Sequence, residues 1–248
     1  MMQEFYQLLS YEFLKQKSSF THPMALLSPV LAGGLTFLHL LFRYDYLKSL
    51  EANQGLSSWT LLMIQHHFVW ILLLPLTVTV LASMIHYIEY SSNSWKNLLA
   101  LPVSRAKVYL AKWSIVYISS ASMICLNAIL MLFIGHLLGF SEPVDWILIL
   151  QYSSYQLVAA FSLISFQTFI SSVIKNTNVS LAIGFVGVSS GLFFAQSQQV
   201  AKLIPYAHIV LTLPDPTIDN NMLLQYGLAF GVIFLASGIL FFNKKDIC

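Results

Sequence analysis

Six stretches of this sequence are long and apolar enough to cross a lipid bilayer, and that constrains the fold more than any other feature. A spanning helix needs about 20 mainly apolar residues, because at ~1.5 Å per residue that length covers the ~30 Å hydrocarbon core. The segments run from about 23 to 42, 67 to 88, 113 to 139, 146 to 174, 179 to 198 and 223 to 242. In hydrocarbon every backbone amide must be satisfied within its own segment, and a barrel strand would need only about 9 to 11 residues of alternating character, so these are helices. The expected fold is an all-α membrane protein with one transmembrane domain over 1–248. Composition agrees: 57% of residues are hydrophobic and 9% charged, where a soluble domain carries roughly 25% charged residues. The net charge of +2 includes no basic tract, so no extended footprint for nucleic acid exists. Cys125 and Cys248 cannot build a disulfide framework.

Residues 1–20 do not read as a signal peptide, because Lys15 and Lys17 follow the apolar positions instead of preceding them. At about 100° per residue Phe5, Tyr6, Leu9 and Phe13 share one arc while Gln3, Glu4, Gln7, Ser10 and Lys15 share the other, with Glu12 and Leu14 breaking the pattern. This predicts an interfacial helix on the membrane surface. Six spans put both termini on one side, together with Lys15, Lys17, Lys96, Arg105, Lys107, Lys112, Lys175, Lys244 and Lys245. Only Arg43, Lys48 and Lys202 fall opposite, and nine against three places both termini in the cytoplasm by the positive-inside rule.

The outer connections, Arg43 to His66 and Gln199 to Met222, are too short for folded domains. The second is mostly apolar over Val200 to Leu213, is punctuated by Pro205, Pro214 and Pro216, and suggests a re-entrant or interfacial hairpin, with a plain interfacial loop as the alternative. Inside, the substantial element is 89–112, EYSSNSWKNLLALPVSRAKVYLAK. Trp95, Leu98 and Leu99 at i, i+3 and i+4 give a short helix one apolar face, Pro102 ends it, and Ser104 caps the next helix, which carries Arg105, Lys107 and Lys112. Such a face needs a cover, either a partner or the headgroup region of the bilayer.

With Glu89, Leu98, Leu99, Pro102, Ser104, Arg105 and Lys112 in this order, the loop resembles that of ABC-2 type permeases, the membrane subunits of ATP-driven exporters. The resemblance extends to the interfacial helix, the six spans, the apolar hairpin before the last span and the Lys-Lys-Asp-Ile ending. In size and small outer loops the chain is most similar to the compact permeases of lantibiotic immunity, which protect bacteria from antimicrobial peptides. The resemblance implies an ABC-2 exporter fold in a bacterial cytoplasmic membrane, working as two permease subunits, identical or paralogous, with two copies of a separate ATPase. It implies Trp95, Leu98 and Leu99 as a plug for an ATPase groove, flanked by Glu89, Pro102, Ser104 and Arg105, and an amphipathic peptide or hydrophobic drug as cargo. No Gly-Lys pair occurs, so no phosphate-binding P-loop can form; this chain binds no cofactor, and ATP and Mg belong to the partner.

The expected spans hold no Asp, Glu, Lys or Arg, which argues against ion coupling. Uncharged Asn127, Gln151, Tyr152, Tyr155, Gln156 and Gln167 are candidates for an amphipathic substrate path or for hydrogen bonds between helices. Gly187-Val188-Ser189-Ser190-Gly191 matches G-x-S-x-G, yet a nucleophile elbow needs a strand-to-helix turn and a nearby His. It also reads as the small-residue pattern for close helix packing, as do Gly135 with Gly139 and Gly227 with Gly231, and some of these faces are candidates for a dimer contact. An intramembrane hydrolase using Ser189 and a membrane scaffold are the competing classes. Adjacent His66 and His67 point about 100° apart with no acidic or Cys partner at i+3 or i+4, so they are expected as polar residues of the outer mouth and not as metal ligands.

Overall fold

The computed structural model describes residues 2–16, 19, 21–92, 95 and 103–244, and all regular structure among them is helical. Helix α1 (Met2–Gln16) precedes α2 (Thr21–Ser49), α3 (Ser58–Ser91), α4 (Arg105–Leu137), α5 (Trp146–Val173), α6 (Thr177–Phe194), the single turn α7 (Gln198–Ala201) and α8 (Asn220–Lys244). Six of them, α2 to α6 and α8, are long and apolar enough to span a bilayer. Their starts are set by side chains that accept otherwise unpaired amides: Ser57 from Thr60, Ser104 from Lys107, Asp145 from Leu148 and Asn176 from Asn178. Gly139, at φ 71°, turns the chain out of α4 in the left-handed conformation.

The spans agree with expectation in number and order, but the first three and the last are longer. α2 runs to Ser49 and α3 begins at Ser58, so the expected outer connection from Arg43 to His66 shrinks to 50–57. Polar ties allow the helices to continue beyond the apolar stretch: Tyr44 Oη meets Ser58 Oγ at 2.8 Å, and the Glu142 carboxylate accepts Ser58 N at 2.6 Å. At the other end α3 continues through Glu89 and α4 begins before Lys112, so the expectation of spanning helices without charge is corrected.

The central helix is α3, packed against α2, α4, α5 and α6, with Leu61, Trp70, Leu74, Val78 and Ala82 shut off from the surroundings. Along the outside Leu26, Leu31 and Leu35 of α2 and Val232 and Ile233 of α8 are exposed, as a lipid-facing surface must be. After α6 the chain dips back into the bundle. Its 3-10 helix Ala207–Thr212 is buried among α3, α5, α6 and α8, so this segment is packed inside the bundle and is not a surface loop. Tyr206 fills the space left by glycines: a Cβ on Gly187 would stand 2.3 Å from its ring, and one on Gly191 2.9 Å from its Cβ.

Candidate coupling site

At the end of the bundle that carries both termini, four charged side chains from three helices meet. Glu12 and Lys15 come from α1, Glu89 from the last turns of α3 and Lys112 from the third turn of α4. The Lys112 ammonium lies 2.8 Å from Glu12 and 3.0 Å from Glu89, and it donates to the Ile85 carbonyl at 3.2 Å. Lys15 pairs with both carboxylates in turn, at 3.2 Å from Glu12. Glu12, Glu89 and Lys112 are essentially inaccessible. Two positive and two negative charges cancel, and reciprocal hydrogen bonding is what makes burial of the group tolerable. Burial works against the charge on Lys15, but Glu12 and Glu89 outweigh it and hold its pKa above the ordinary lysine value.

The network explains the break in the α1 pattern. Leu8, Glu12 and Gln16, four residues apart, are the buried line of α1, whereas Tyr6, Phe13 and Leu14 face outward. A second tie, Lys107 to Glu4, fastens the start of α1 to α4. Glu89 lies two residues before the end of α3, where the connection to α4 starts. Trp95 is 7% exposed, lies against Tyr90, His86 and Phe242, and sits with the Lys112 ammonium 5.6 Å from its ring. It anchors the connection to its own chain; a ring so placed does not offer its face to a partner, which corrects that part of the plug expectation. Leu98, Leu99 and Pro102 lie outside the described residues. Ser104 caps α4 as expected, and Arg105 beside it donates to the Asn243 carbonyl of α8 at 3.3 Å.

The polar candidates of the spans separate into two groups. Asn127 is buried and meets His66 Nε2 at 2.7 Å, while Thr36 Oγ1 stands 3.0 Å from His66 Nδ1. Tyr152 is buried and donates to His67 Nδ1 at 3.0 Å, because His67 Nε2 is committed as donor to the Val210 carbonyl at 3.2 Å. Gln167 is buried, donates to the Ser180 carbonyl at 3.2 Å and accepts from Tyr206. Gln156 is buried beside Tyr152. These groups hold the bundle together. Gln151 and Tyr155 instead line an open cleft of about 600 Å³ at the far end, with Asp215, Asp219 and Asn220. His66 and His67 are therefore buried inside the bundle and not at its mouth: α3 starts earlier than hydropathy suggested, so they sit in its third turn among polar partners.

Among the candidate packing glycines, Gly135 abuts Trp59, Gly187 and Gly191 abut Tyr206, Gly227 abuts Val158 and Gly231 abuts Phe161. Their Cβ positions are taken up by this chain's own side chains, so these glycines serve close packing within the bundle. Gly139 abuts nothing and serves the turn. Ser189 donates to the Phe185 carbonyl of its own helix at 3.1 Å, and this hydroxyl has no His beside it among the described residues. The hydrolase reading is not favoured.

A helical bundle of six helices long and apolar enough to span, with a buried ionic cluster at the end that carries both termini, defines a multi-pass membrane protein. The sequence pattern of the ABC-2 family transporter proteins matches residues 8–191, and the chain belongs to that family, the membrane permeases of ABC transporters. The match takes in α1 from Leu8, the quartet, the first four spans and most of the fifth. No curated protein matches the chain.

Proposed function

We propose that this chain is the permease subunit of an ATP-driven exporter in a bacterial cytoplasmic membrane, both termini inside, paired with a second permease and driven by two copies of a separate ATPase that bind ATP and Mg. Membership of the ABC-2 family supports the class. The observation that carries the mechanism is the quartet: Glu89 and Lys112 close the base of the 89–112 connection and Glu12 and Lys15 fasten α1 to it. A push on the connection by an ATPase would then displace α1, α3 and α4 as one unit. The contact itself falls to Leu98, Leu99 and Pro102, with Glu89, Trp95, Ser104 and Arg105 positioning them.

An amphipathic cargo, a lantibiotic-like antimicrobial peptide or a hydrophobic drug, fits the far end. Arg43, Lys48 and Lys202 there face Asp45, Glu51, Glu142, Asp145, Asp215 and Asp219, a net of 3 minus 6. The cleft with Gln151, Tyr155, Asp215 and Asp219 offers an acidic, partly aromatic exit suited to a cationic peptide.

The test is co-purification of the tagged chain from native membranes in mild detergent beside a Leu98→Asp, Leu99→Asp variant. A nucleotide-binding subunit retained by the native chain and lost from the variant is the expected result. Failure of crosslinking in intact membranes to find any ATPase would overturn the proposal and leave a scaffold role. Cargo is read separately, from the sensitivity of a deletion strain to cationic antimicrobial peptides.

A further inference from the structure

Between α1 and α4 runs an apolar groove of about 360 Å³, walled by Leu9, Ser10, Phe13 and Leu14 on one side and Ile115 and Ile118 on the other. Among the described residues Ser10 is its sole polar contributor, and the network of Glu12, Lys15, Glu89 and Lys112 uses the other flank of α1, so none of these charges enters the groove. Phe13, Leu14 and Ile118 are about half exposed or more. Ile115 and Ile118 lie ~15 to 20 Å along α4 from Arg105 at ~1.5 Å per residue, a turn or two beyond the buried Lys112, on the part of the helix that must stand in hydrocarbon. The groove is thus continuous with the lipid-facing surface, and water has no polar partners there to stay for.

We propose that this groove holds one acyl chain of a phospholipid from the leaflet at the terminus end, and that the lipid is anionic. The groove is lined by flexible aliphatic and aromatic groups on two crossing helices, the geometry that takes a narrow hydrocarbon chain. Charge selects the headgroup: the terminus end carries nine basic residues against Glu4, Glu12, Glu89 and Asp246, a net of 9 minus 4. Glu12 and Glu89 cancel two of the cations within the bundle, which leaves seven basic residues against Glu4 and Asp246 at that end. The bound chain seals the open side of α1, so that helix is clamped between the ionic joint on one flank and lipid on the other. This inference rests on the membrane-spanning fold and not on the transport reading.

The experiment reconstitutes the purified chain in nanodiscs of phosphatidylcholine with a trace of phosphatidylglycerol bearing a diazirine midway along one acyl chain. After illumination, labelled residues are located by mass spectrometry. Labelling concentrated several-fold on Phe13, Leu14 and Ile118 over equally exposed Leu35 and Val232 is expected, and unlabelled phosphatidylglycerol should compete better than phosphatidylcholine. Ile118→Trp, which fills the groove from its lipid-facing wall, should abolish the excess while Leu35 and Val232 stay labelled, a built-in check that the variant is folded. Equal labelling at all five positions means a fluid annulus only and overturns the proposal, as does an excess that Ile118→Trp leaves intact. Equal competition by the two headgroups overturns the anionic preference, and protein-to-protein crosslinks through Phe13 or Leu14 would assign the groove to a second copy instead.

Discussion

Lys112 and Glu12 stand 100 positions apart in sequence, and their side chains meet at 2.8 Å with both buried. Their contact helps make the first helix part of the bundle: without it α1 would be held by Leu8, the Lys15 to Glu89 and Lys107 to Glu4 pairs and lipid. Removing one partner of such a pair leaves an uncompensated charge in an apolar setting, which costs about 3 to 5 kcal/mol. Lys112→Met is therefore expected to lower the thermal midpoint in detergent sharply. Glu12→Gln with Lys112→Met should cost less than the sum of the single changes, and additive losses would show that the two groups do not act as one unit.

The buried 207–212 segment makes its own prediction. Tyr152→Phe takes the donor from His67 Nδ1 and loosens the residue that holds the Val210 carbonyl, at a cost of about 1 to 3 kcal/mol. Faster tryptic cleavage at Lys202, on the same segment, should accompany the loss of stability.

Glycine positions separate by what a methyl group would meet. Gly231→Ala forces a Cβ to within 2.1 Å of the Phe161 ring and should destabilise the α5–α8 contact by about 1 to 3 kcal/mol. Gly34 in α2 has open space around the same atom, so Gly34→Ala should be neutral or stabilise the helix by up to ~1 kcal/mol. Thermal unfolding of the two variants side by side gives the comparison.

At the far end the Ser58 amide, donating to the carboxylate at 2.6 Å, holds the Glu142 carboxyl below the usual carboxylate range, helped by the Ser58 hydroxyl and Lys48. A carboxylate with a lowered folded pKa contributes stability above its unfolded pKa of about 4.3 and loses it as pH falls through the folded value. The native chain should therefore lose part of its stability on acidification below about pH 4.3, and Glu142→Gln should flatten that limb of the curve. An unchanged acid limb in the variant would remove Glu142 from this role.

Much of the fold was legible because a bilayer punishes any unsatisfied amide, so long apolar runs can only be helices. Ser104 as cap was visible in the same way, from local chemistry, whereas the apolar run 200–213 left a hairpin and a plain loop both open. The buried quartet was not. Glu12 registered only as a flaw in an amphipathic pattern, while Glu89 and Lys112 fell one residue outside the expected spans and read as the two ends of the cytoplasmic connection. Hydropathy locates where a helix becomes expensive to leave in water, not where it stops, and α3 and α4 carry on beyond that point because their charges find each other. The histidines misled for a related reason: His66 and His67 are polar in composition and buried in fact, their hydrogen bonds being supplied by Asn127, Thr36, Tyr152 and a carbonyl from α3's distant neighbours in sequence.

By itself the sequence determined the number of spans, their order and the sharing of one side by both termini, since these follow from period, length and the cost of bare amides in lipid. Only the tertiary structure decided which polar groups are ties and which stay open to a ligand, and that Trp95 anchors the connection while Glu12 joins it to α1. Such pairings depend on where helices far apart in the chain lie against each other, and no local pattern of residues carries that information.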